Sequence, residues 1–64
     1  MMTDREIYLN ASVWFSAHGE LAMPKARIVL LRRLFTGDKD GCDAWRRMIC
    51  AIKAIEEAPR GLPN

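Results

Sequence analysis

The chain of 64 residues has one histidine and two cysteines, and that scarcity excludes a good deal. Cys42, Cys50 and His18 fall short of the ligands a structural zinc site takes. On one helix the two cysteines, eight residues apart, would stand about 12 Å apart, whereas a disulfide needs Cα atoms within about 7 Å. They are expected as free thiols in a reducing compartment. Runs long enough to span a membrane are missing too, and Met1 to Glu6 lack the basic-then-apolar layout of a signal peptide. The expectation is a cytoplasmic protein with no membrane partner, for which the sequon Asn10-Ala11-Ser12 carries no meaning.

Catalytic chemistry is equally thin. No nucleophile sits beside a base, and no glycine loop is set to cradle a phosphate, so no catalytic residue and no cofactor is assigned and the chain reads as not an enzyme. The aspartates of Asp38-Lys39-Asp40-Gly41 invite a calcium reading, but Ile49 falls where a calcium loop starting at Asp38 needs its bidentate glutamate. His18 reads as packing beside Trp14 or bonding terminal carbonyls of its helix. Cys50 lies near Arg46, Arg47 and Lys53, which would favour a thiolate, yet a small structural residue explains it as well.

What is present is helical patterning, and it is organised around Ala26 to Phe35, seven apolar residues and three arginines. Over residues 21 to 35 the apolar side chains cover most of a helix circumference, interrupted by Lys25, Arg27, Arg32 and Arg33. Such a helix should be buried on nearly all sides. Thr3-Asp4-Arg5-Glu6 fits a capping box, with Met2 and Ile7 as a hydrophobic staple, and opens a first helix over about residues 4–18 that stops at Gly19. A second runs over 21–36, with Pro24 in its tolerant first turn and Gly37 as its stop. After the turn Asp38 to Gly41, with Asp40 and Asp43 placed to cap it, a third runs over 41–58 and ends at Pro59.

The expected architecture is therefore all-α, a compact three-helix bundle with short connections, one domain over residues 1–58 and a frayed tail over 59–64. The core expectation is Trp14, Phe15, Leu30, Leu34, Phe35, Trp45, Ile52 and Ile55. A domain this small buries only about 60% of its unfolded surface. Without disulfide or metal, oligomerisation is the remaining source of stability.

Ala11 to Trp14, His18-Gly19, Ala22, Arg27, Leu34, Gly37-Asp38, Gly41, Trp45, Ile49 and Ala51-Ile52 form a spaced pattern across about residues 7–55. It resembles a set of small uncharacterised helical proteins of alphaproteobacteria and their phages or prophages. The resemblance implies an accessory protein derived from a mobile element, and it transfers no activity.

Two binding surfaces stand out. Leu9, Val13 and Ala17 recur every fourth residue away from the core arc of helix 1, and Leu21 and Val29 extend the apolar surface on helix 2. This is the expected protein interface, with a homodimer as its simplest use, since twofold assemblies are the commonest. The function expected first is a small helical interaction module that binds a protein partner or regulates a larger complex. The alternative is nucleic-acid binding through a basic helix 2/helix 3 hairpin made of Lys25, Arg32, Arg33, Arg46, Arg47 and Lys53. Residues 25–53 hold eight Lys/Arg against three Asp, net +5, while the remainder sums to −3. Against it, helix 3 has few side chains able to read base edges, and Arg47 is placed to pair with Asp43 one turn away.

Overall fold

A computed structural model describes residues 2–58, and among them every regular element is helical. Helix α1 spans Asp4–His18, a short 3₁₀ turn spans Gly19–Leu21, α2 spans Ala22–Thr36 and α3 spans Lys39–Glu57. The three expected helices are all present, packed as an all-α bundle. The expected tail over 59–64 lies outside the described residues.

The helix ends follow from local chemistry. The Glu6 amide donates to the Thr3 hydroxyl at 3.2 Å, while the Glu6 carboxylate accepts from the Thr3 amide at 2.8 Å. Two otherwise orphaned amides are thereby satisfied. At Gly19 the backbone turns to φ 55° and ψ −123°, a region open to glycine and strained for other residues, and this corner redirects the chain from α1 into α2. Gly37, at φ 74° and ψ 20°, closes α2 in a Schellman arrangement: its amide donates to the Leu34 carbonyl at 3.2 Å and the Asp38 amide to the Arg33 carbonyl at 3.0 Å.

The third helix starts two residues earlier than its sequence suggests, because the cap is Asp38 and not Asp40. The Asp38 side chain accepts from the Gly41 amide at 2.9 Å and faces Arg33 at 3.4 Å. One carboxylate thus ties the end of α2 to the start of α3. Arg47 also departs from expectation. Instead of pairing with Asp43 on its own helix it reaches across to Asp4 and to the Met2 carbonyl, pinning the start of α1 onto α3.

The helices share burden unequally. α3 packs along both α1 and α2, whereas α1 and α2 meet chiefly near their common corner. There the Trp14 indole donates to the Ala22 carbonyl at 2.9 Å, and the Trp14 ring packs against His18, centroids 4.2 Å apart, as the histidine's neighbourhood suggested. The buried cluster is Ile7, Ala11, Ala22, Ala26, Met48 and Ile52, with Met2, Trp14, Phe15, Trp45 and Ile55 packed partly buried around it. Three of those six are alanines. Small side chains let helices approach closely but remove little apolar area from water, at about 25 cal/mol per Å².

This core corrects the sequence expectation at α2. Leu34 is half exposed and Phe35 is 90% exposed, so neither is a core residue, and Leu30 is only partly buried. The premise that an all-round apolar helix must be covered all round fails for a physical reason. α2 has one extensive neighbour, α3, and the only side chains it buries fully in the bundle are Ala22 and Ala26. Its larger apolar residues are left facing water.

Candidate functional site

Eight large apolar side chains, Tyr8, Leu9, Val13, Leu21, Ile28, Leu31, Leu34 and Phe35, keep half or more of their surface exposed. Single cases are ordinary, but these fall into stripes set by helical spacing. On α1, Ile7 and Ala11 face inward, so Leu9, Val13 and Ala17 lie on the outer side, with Val13 68% exposed. Leu21 is exposed as well, whereas Val29 is partly buried and offers the expected interface little. The α1 stripe is bordered by Asn10, Ser12 and Ser16 and by one acid, Glu6, at its N-terminal end.

A second apolar surface was not anticipated as a binding feature. Between α2 and α3 lies an open groove of about 620 Å³, lined by Arg27, Leu30, Leu31, Arg46, Ile49 and Cys50. At Arg46 it meets a further depression of about 450 Å³, lined by Arg33, Leu34, Gly37, Lys39, Cys42 and Arg46. The apolar floor comes from both helices. Its charged borders are Arg27 and Arg33 on α2 and Lys39 and Arg46 on α3, and no acidic side chain lines either depression. Leu30 and Leu34 were read as core because the all-apolar pattern of α2 does not say which side its neighbour takes. The usable signal was Arg27, an interruption in that pattern that marks a solvent edge.

The six basic residues grouped as a nucleic-acid surface do not form one face. Arg33 faces Asp38 and Arg47 faces Asp4, so two of them are engaged. Lys25 lies 3.4 Å from His18. At about 100° per residue, Lys25 and Arg32 project from α2 about 150° away from Arg27, whereas Arg46 lines the α2/α3 groove. Lys53 is exposed further along α3.

The two thiols differ in access: Cys42 is buried, and Cys50 is exposed at the groove. No group of three or more potential metal ligands occurs among the described residues, and no described helix is long and apolar enough to cross a membrane. Comparison with protein-family models, curated proteins and solved structures finds no match. The resemblance to alphaproteobacterial and phage proteins therefore rests on the spaced residues alone.

Proposed function

We propose that this chain is a small helical protein-interaction module, without catalytic chemistry of its own, that acts by docking its outward apolar faces onto protein surfaces. The observation that supports this reading is the inversion of α2, with alanines toward the bundle and Ile28, Leu31, Leu34 and Phe35 toward solvent. Apolar surface left in water adds nothing to the stability of so small a domain, and a partner that covers it adds stability. Nucleic-acid binding is the weaker reading. Phosphate contact calls for cations gathered on one surface, and here they are divided between ion pairs and opposite flanks of α2.

The α1 stripe suits a second copy of the chain. Leu9, Val13 and Ala17 can meet their twofold equivalents with the uncharged Asn10, Ser12 and Ser16 beside them, Glu6 being confined to the N-terminal end of the stripe. Sedimentation equilibrium at micromolar concentration tests this. The chain of 7.3 kDa should sediment as a dimer, and Val13→Glu should return it to monomer with its helical circular dichroism intact. A wild-type monomer throughout removes the homodimer. A dimer indifferent to Val13→Glu moves its interface off α1.

A further inference from the structure

The groove between α2 and α3 has a character that selects its occupant. Its floor is apolar, formed by Leu30, Leu31, Ile49 and Cys50, and Arg27 stands on one wall with Arg46 on the other. The adjoining depression repeats the pattern, with Leu34 inside and Arg33 and Lys39 at its edges. Among the described residues, Arg27 and Arg46 form no ion pair. Along the whole of α2, from Ala22 to Thr36, there are four basic residues and no acidic one.

We propose that this groove is the docking site for an acidic amphipathic helix of a different protein. Such a helix would lay apolar residues at i, i+3 or i+4, and i+7 onto the Leu30/Leu31/Ile49 floor. Glutamates or aspartates beside that stripe would meet Arg27, Arg46 and Lys39. The lined stretch of α2, from Arg27 to Leu34, spans about 11 Å, two turns of helix. That matches the i to i+7 anchoring of helix-in-groove recognition.

Charge decides between this occupant and the alternatives. A second copy docking through the same groove would set Arg27 and Arg46 of each copy in one interface with no acid lining either side, and like charges across an interface are costly. The outer stripe of α1 has one acid beside it, Glu6, and supplies no row of acids to match. An anionic bilayer would satisfy the cations, but it seats convex apolar faces, and here Leu30 and Ile49 lie partly buried at the bottom of a concave seam. Nucleic acid would satisfy the cations and leave the apolar floor unused.

The proposal rests on the reading of this chain as an interaction module, and its test separates the two. The full chain is panned against a library of random helical peptides, and selected peptides are assayed by fluorescence anisotropy. Enriched sequences should carry apolar residues at i, i+3/i+4 and i+7 flanked by Glu or Asp. Replacing those acids with Gln should weaken binding about tenfold or more, as loss of charge-assisted contacts worth about 1.5 to 3 kcal/mol requires. Arg46→Glu and Leu31→Asp should each abolish it, with the circular dichroism of both variants unchanged. Bound peptide should also shield Cys50 from alkylation.

Selected peptides that are neutral or basic, or that bind Leu31→Asp as well as wild type, overturn the acidic-helix inference while leaving an interaction module standing. A library that yields no binder, together with a chain that stays monomeric, overturns both. Vesicles containing phosphatidylserine, or duplex DNA, bound in place of peptide and sensitive to Arg46→Glu, reassign the groove to lipid or nucleic acid.

Discussion

The rings of Trp14 and Trp45 meet edge to face, with centroids 5.0 Å apart and planes at 74°, and this contact joins α1 to α3. The Trp14 indole is also the donor to the Ala22 carbonyl, so one side chain binds all three helices together. Aromatic pairs in this geometry contribute about 0.5 to 1.5 kcal/mol beyond their buried area. In a bundle whose interior is half alanine, that is a large share of what holds the helices.

Trp45→Ala should therefore cost about 3 kcal/mol, the lower end of the range for removing a packed tryptophan because Trp45 is only partly buried. Urea titration followed by circular dichroism at 222 nm checks this. A midpoint close to wild type would show that the α1/α3 contact is made by other residues.

Phe35→Ser should behave in the opposite way. With 90% of its surface exposed, Phe35 has little packing to lose, and stability should move by no more than about 0.5 kcal/mol. Thermal denaturation of the two proteins side by side measures the difference. A drop comparable to that of Trp45→Ala would return Phe35 to the interior.

These two residues also mark how far the sequence is legible. Helix existence is readable because punctuation is local: Thr3 with Glu6, Gly19 and Gly37 act on backbone groups within a few residues. Three aspartates within six residues, however, leave the cap of α3 ambiguous, and it falls to Asp38. Which face of α2 meets its neighbour is not readable. Its apolar residues surround the axis, so periodicity contains no direction, and the inward side is the one where the small Ala22 and Ala26 let the other helices close in. The charges hid their partners for a related reason. Arg47 has an acid one turn away in Asp43, yet pairs with Asp4, a residue that only the packing of α1 on α3 brings near.

Gly37→Ala should destabilise the chain by about 1 kcal/mol, since a Cβ is disfavoured at φ 74°. No neighbouring atom lies within 4 Å of where that Cβ would stand, so the effect is conformational and not steric. Gly37→Asn, which tolerates the left-handed region better, should recover part of the loss. Equal stability of the alanine and glycine forms would mean that the turn can relax.

The Glu6 carboxyl is held below its ordinary value of 4.5, first by the Thr3 amide and then by the Thr3 side chain. A carboxyl lowered in the folded state binds its proton more readily when unfolded, so its stabilisation is full above the unfolded pKa and is lost as pH falls through the folded one. Acid should weaken the wild type through this group, and Glu6→Gln should flatten that part of the pH profile. Denaturant midpoints compared between neutral and acid buffer give the answer. Identical slopes for the two proteins would show that the capping box does not persist in solution.

The alanine interior of α2 has a consequence for descent. Ala22 and Ala26 are constrained by the fold, because both are fully buried and a larger side chain there would force the helices apart. Ile28, Leu31 and Leu34, each about half exposed, are held less tightly by the bundle, and under the proposed function a bound partner would hold the rest of their surface. On that reading, loss of the partner from a lineage would let the leucines turn polar at less expense to the fold than any change at the alanines. The two kinds of constraint lie on different sides of one helix, so under the proposed function the substitutions it accumulates in different hosts would record which of them possess such a partner.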